Sequence, residues 1–241
     1  MPLTLKNFYR QWWKPWANTR LYLPLNSTDN FTDKSWNSYT VTNVGNVQLG
    51  TYGWVDCAYF TSATNSYATL NNFAFNSDTN WTISFWEYYI DWQYPSTFAS
   101  TSNVWFWKSF KIWPITNDQF AYEVSGANWD GWWTQSSLVV DNTMSYKNVR
   151  CHYCLVMDWV ENNVAHFKAY INNNQVSHFD TWKWYYTSTR PNYCFGSDPY
   201  SWVGWRLWRF YLSNFIIENK SWTAQERSDY FDQTKSLYWI S

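Results

Sequence analysis

The sequence predicts an all-β protein, a two-sheet antiparallel sandwich that ends in one short C-terminal helix. Three observations predict it. Apolar and polar residues alternate with a period of two, most plainly between Cys151 and Ile171. Clusters of Asn, Asp and Gly cut the alternating segments into about a dozen short runs, which is sandwich spacing. No Pro/Gly/Ser-rich linker or charge run divides the 241 residues. The reading is therefore a lead-in over residues 1–18 and one domain over 19–241.

Pro15-Trp16-Ala17-Asn18 stops any helix begun in the aromatic, basic lead-in, which reads as a docking segment. Met1 to Lys14 lacks the apolar centre of a secretory signal. Action outside a cell would then require prior trimming or another exit, such as release by lysis. Strands are expected at Arg20–Leu25, Ser38–Val44, Asn46–Leu49, Asp56–Phe60 and Tyr67–Leu70, then at Thr82–Asp91, a long central strand. In that strand Ile83, Phe85 and Glu87 share one face and Ser84, Trp86 and Tyr88 the other. Phe98–Thr101, Val104–Phe110, Gln119–Val124 and Leu138–Val140 continue the pattern. Cys151–Met157 places Tyr153, Leu155 and Met157 opposite His152, Cys154 and Val156. Asp158-Trp159 and Glu161-Asn162-Asn163 are expected to turn the chain into Val164–Ile171, and Asn172-Asn173-Asn174 to turn it again into Gln175–Phe179. Tyr193–Gly196 and Leu207–Glu218 are the last strands. Ser221 is the expected N-cap of a helix to Phe231.

The charge balance, 18 acidic against 17 basic residues, gives no overall drive toward nucleic acid or an anionic membrane. No apolar run approaches the ~20 residues of a membrane helix. Cys151 and Cys154 form a C-x-x-C, but a spacing of three on a strand puts them on opposite faces. They read as free buried thiols, and no metal site is expected there. His152, His166 and His178 fall on successive strands among apolar neighbours and read as packed or half-exposed rather than as ligands.

The order of these segments resembles a laminin G-like domain. Leu21 to Leu25, the Asp56–Phe60 and Tyr67–Leu70 pair read as a hairpin, the Ser84-Phe85-Trp86-Glu87 strand, His152 to Asp158, Tyr170-Ile171-Asn172 with Gln175-Val176, and Phe210 to Ile217 all match. The likeness spans roughly Leu21 to Phe231. It departs at Arg150-Cys151, at Asn173 where the family has Gly, and at Thr61 where it has Asp. The resemblance implies a concanavalin A-like jelly roll. The Thr61 departure leaves calcium without a clear motif, so no cofactor is expected.

Glycine is scarce and tryptophan abundant, at 7 and 22 residues. Average usage of ~7% Gly would give about seventeen. Trp36, Trp54, Trp159, Trp205 and Trp208 stand where the resembled family, or turn chemistry, has Gly, whereas Trp16, Trp86 and Trp222 fit as they stand. Two readings are open. In one, UGA codons that specify glycine have been read as tryptophan; in the other, the chain is a tryptophan-rich lectin.

The implied fold includes glycoside hydrolases, which need two flanking carboxylates. Only Glu87 and Asp91 come near that pattern, and Tyr89 lies between them, so no catalytic residue is assigned. Sugar binding needs aromatic faces beside polar groups. Two loops carry that mixture: Asn128 to Trp133, with Trp129, Asp130, Trp132 and Trp133, and Asp180 to Tyr186, with Trp182, Tyr185 and Tyr186. Tyr200 stands near them in sequence. The expectation is a non-enzymatic carbohydrate-binding or adhesion module on a phage virion or cell surface. Its expected partners are surface glycans and neighbouring subunits, including copies of itself, without nucleic acid or membrane insertion. The alternative is a structural virion subunit, a tail fibre or head decoration, whose aromatic loops are interfaces.

Overall fold

The structure is a computed structural model. It describes residues 17–45, 47–61, 66–73, 80–90, 97–100, 108–116, 119–127, 133–140, 148–160, 164–182, 192–196 and 209–238. Two antiparallel sheets form. The first runs β13 (Asn174–Trp182), β12 (Val164–Ile171), β11 (Arg150–Val160), β6 (Trp81–Tyr89), β15 (Phe210–Glu218), β4 (Val55–Phe60) and β3 (Gln48–Tyr52). β1 (Thr19–Leu23) pairs with the far end of β15, along the side that β4 also uses. The second sheet runs β10 (Trp133–Val140), β9 (Gln119–Ala127), β8 (Lys108–Thr116), β7 (Phe98–Ser100), β14 (Asn192–Phe195), β5 (Tyr67–Asn71) and β2 (Val41–Val44). Helix α1 (Ala224–Lys235) and a 3-10 turn (Ser236–Tyr238) follow the last strand. The chain thus forms the expected two-sheet sandwich with a short helix near its C-terminal end.

The alternation read in the sequence sorts side chains into two compartments. Ile83, Phe85, Tyr153, Leu155 and Met157 point between the sheets. There Phe85 stacks on Tyr153 at 5.4 Å and on Phe215 at 5.7 Å, and Phe98 and Phe195 meet Phe215 from the other sheet. Each such buried ring contributes about 2–3 kcal/mol through lost apolar exposure. Trp86, His152 and Cys154 point outward and are covered by Tyr230, Phe231 and Tyr238 of the helical segment. Cys151 and Cys154 do lie on opposite faces, and all four cysteines are free and buried.

Several boundaries differ from expectation for local reasons. Asp158 and Trp159 stay in β11, paired with His166 and Ala165, so the turn comes later. β4 and β5 are not a hairpin. β4 pairs with β3 and β15 in the first sheet, and β5 with β2 and β14 in the second. The helix is capped by Thr223 rather than Ser221. Thr223 Oγ1 accepts from Glu226 N and the Glu226 carboxylate accepts from Thr223 N, a capping box. Ser221 Oγ instead donates to Met157 O. Residues 1–16 of the expected 1–18 docking segment lie outside the described residues, as do Asp91 and 104–107 of an expected strand.

Left-handed backbone falls mostly on asparagine. Asn30, Asn72, Asn148, Asn172, Asn173 and Asn214 all have positive φ, as suits a short side chain that bonds its own backbone. Gly196 could be nothing else, because a Cβ there would stand 2.3 Å from Phe60 Cδ1.

Glu87 faces the core, as its strand position predicts. Thr97 Oγ1 donates to its carboxyl at 3.1 and 3.2 Å. Burial pushes Glu87 up from 4.5 to about 8, and the Thr97 hydrogen bond opposes this only in part. Outward-facing His152 shares a 2.7 Å hydrogen bond with Ser84, and burial, with Arg227 assisting, drives it from 6.5 down to about 3. A raised carboxyl contributes stability that is full below 4.5 and lost as pH rises through 8. A depressed imidazole contributes stability that is full above 6.5 and lost as pH falls toward 3. The two slopes oppose each other between 4.5 and 6.5. Urea unfolding should therefore show a plateau there and a decline of roughly 1.4 kcal/mol per pH unit above it. E87Q should abolish the high-pH decline and leave the low-pH one.

Candidate functional site

Trp129, Asp130, Trp132, Tyr185, Tyr186 and Tyr200 lie outside the described residues. Trp133 and Trp182 belong to strands rather than loops. Trp133 opens β10 opposite Ala127, and Trp182 closes β13 opposite Val164. β10 and β13 are the edge strands of the two sheets and lie against each other. The strands that bear these two residues are therefore brought together at one side of the sandwich.

A cleft that the sequence reading did not single out lies on the outer face of the first sheet, beside the start of α1. It holds about 500 Å³. Val156 and Asp158 of β11, Lys168 and Tyr170 of β12, Gln175 of β13 and Asn173 of the intervening turn form one wall; Ser221 to Ala224 and Arg227 form the other. Alternation puts 156, 158, 168 and 170 on this face, and antiparallel pairing aligns them. Lys168 Nζ lies 2.9 Å from Asp158. Burial works to raise the Asp158 carboxyl, but the neighbouring Ser221 hydroxyl and the Lys168 hydrogen bond and charge outweigh it and hold the carboxyl below its usual range.

Arg227 spans the cleft. Its guanidinium carbon lies 3.6 Å from the centre of the Tyr170 ring, and its Nε donates to Asn173 Oδ1 at 2.9 Å. Tyr170 is buried beneath it, so this ring braces Arg227 rather than offering a free face. The wall behind is fixed by Trp222, whose Nε1 donates to buried Glu218 at 2.7 Å and whose backbone N donates to Thr82 Oγ1 at 2.9 Å. Glu218 also accepts from Thr19 Oγ1 at 3.0 Å. The cleft therefore presents a carboxylate, an ammonium, a guanidinium and two amides on a rigid frame. Such a set bonds the hydroxyls of a polar ligand from several directions. It lacks a nucleophile–base pair and a carboxylate pair among the described residues, and no group of three or more His, Cys, Asp and Glu side chains is placed to hold a metal among them.

A second surface on the same sheet is aromatic. Tyr59, Tyr211, Tyr88 and Arg150 are direct cross-strand partners along four adjacent strands. Tyr52 stacks on Tyr211 at 3.8 Å, and Tyr59 stacks on it at 4.6 Å. The row is not visible in the sequence because its members are far apart in the chain: Tyr52 and Arg150 by 98 residues, and Tyr52 and Tyr211 by more.

No protein-family model matches the sequence, and no curated protein sequence matches it. Solved structures do resemble the fold. The binding domain of botulinum neurotoxin serotype D/C VPI 5993 superposes with a TM-score of 0.68 at 16% identity, over 92% of this chain and 53% of that one. The binding domain of botulinum neurotoxin DC in complex with SialylT gives 0.67 at 15% identity, over 92% and 52%. The binding domain of Paraclostridial Mosquitocidal Protein 1 gives 0.63 at 15%, over 89% and 52%. These likenesses show the fold. The chain spans about half the length of these binding domains.

Replacing Trp222 with Phe keeps an aromatic ring at the position but removes a donor from buried Glu218 and part of the ring volume. The change should cost about 1–3 kcal/mol in denaturant unfolding.

Proposed function

We propose that this chain is a non-enzymatic carbohydrate-binding module of laminin G-like type, which works at a virion or cell surface. The observation that carries the reading is the cleft: Asp158, Lys168, Asn173, Gln175 and Arg227 surround one open volume with both donors and acceptors, held in place by a strand pair and a capped helix. Sugar hydroxyls are bound by such convergent polar groups. The likeness to binding domains, one of them in complex with SialylT, supports the same direction. The buried position of Glu87, between the sheets rather than in a cleft, argues against glycoside hydrolysis.

The aromatic residues of the segments at 128–133 and 180–186 are a second candidate for glycan stacking on the same module. A different reading, a structural subunit buried against its own copies, draws on the Tyr52–Tyr211 row and the exposed Trp36. Sedimentation velocity separates it from the first, since a stable oligomer without glycan binding is what it requires.

A glycan-array screen of the full chain, followed by titration of the hits, tests the proposal. K168A combined with Q175A should weaken binding at least tenfold without shifting thermal unfolding by more than about 2 °C, because both side chains stand at the surface. Full binding in that variant with loss in Y185A/Y186A would move the site to the aromatic rim. Absence of binding to every glycan would refute the module.

A further inference from the structure

Five tryptophans have described side chains, and they fall into two groups with nothing between. Trp81, Trp86 and Trp222 are 2%, 0% and 3% exposed. Trp86 Nε1 donates to Thr234 Oγ1 at 3.2 Å and Trp222 Nε1 to Glu218 at 2.7 Å, and Trp81 packs on Phe167. Trp36 and Trp54 are 84% and 80% exposed. Tryptophan is a strongly buried residue on average, so two indoles this open stand apart. Trp54 is also a position where turn chemistry calls for glycine.

Trp54 carries the stronger signal. Tyr52 and Val55 are directly paired, so Gly53-Trp54 is a two-residue hairpin turn. Its φ values are +54° and +71°. This is the turn with two left-handed residues, whose second position favours glycine above all. Elsewhere asparagine fills most of the left-handed positions of non-glycine residues, and the small, exposed Ser38 holds another at φ +52°. Leu25, at φ +55°, is 1% exposed and held in the core. Trp54 has the strain and no such burial. At Trp36 the backbone allows any residue, and the argument rests on exposure alone.

We infer that positions 36 and 54 are glycine in the protein as its own cell makes it, the tryptophans there being UGA codons read by a different code. Trp81, Trp86 and Trp222 are genuine. The rival account is that Trp54 is a strained contact residue kept for binding.

Two measurements decide. In the coding sequence, codons 36 and 54 should be UGA and codons 81, 86 and 222 UGG; UGG at 54 overturns the inference. Independently, W54G in the full chain should raise the thermal midpoint by about 2–4 °C and leave any glycan binding intact. W86G, the control, should lower the midpoint by roughly 10 °C or more. A W54G midpoint that falls or stays unchanged, or a loss of binding in that variant, overturns it in favour of a contact residue.

Discussion

The register between β6 and β11 is the constraint on which the rest depends. Phe85 faces Tyr153 and Trp86 faces His152 across that pair. A slip of one residue would turn one strand over: with β11 held in place, Trp86 would enter the space between the sheets and Phe85 would lie beneath the helix, while His152 stayed outward. The inner layer would lose the Phe85 ring that meets Phe215, and the helical segment would lose the Trp86 surface that receives Phe231 and Tyr238. With β6 held in place instead, β11 would turn over and Asp158 would leave the face of the cleft. One pairing thus sets the sandwich, the docking of α1 and the polar wall.

Docking of α1 rests on a small number of specific contacts. The short segment between β15 and α1 is held by Ser221 to the Met157 carbonyl, by Trp222 to Glu218 and Thr82, and by Thr82 Oγ1 to the Lys220 carbonyl at 2.8 Å. Arg227 then reaches back over Tyr170 to Asn173. The cleft is the space left between a strand pair and a helix that are fixed to each other at both ends. Arg227 and Asn173 are thereby held in fixed positions at its edge.

Strands and their faces were legible because period-two alternation is a local property. It gave the inward Glu87, the opposite-facing Cys151 and Cys154, and the turn at Asn172-Asn173. Sheet membership was not legible. Asp56–Phe60 and Tyr67–Leu70 look like hairpin partners in sequence, yet they belong to different sheets, because alternation does not say which edge a strand joins. The cleft was hidden for the same reason. Asp158, Lys168, Gln175 and Arg227 sit on four elements, and none belongs to a recognisable motif. The N-cap was misplaced by two residues because Ser221 and Thr223 are both good caps, and the capping-box partner Glu226 suits only the second.

The pairing of β1 with β15 joins segments far apart in the chain. Thr19 bonds to Glu218 across a separation of 199 residues. Among the described residues β1 pairs with no other strand, and β6 has β15 as one of its two neighbours. During synthesis the earliest strand therefore leaves the ribosome long before its partner exists, and the central strand waits with one edge open. The first sheet cannot close piece by piece behind the advancing chain. Its completion is postponed until residues 210–218 emerge, and until then the edges of β1, β4 and β6 that β15 covers are open to pairing with other strands.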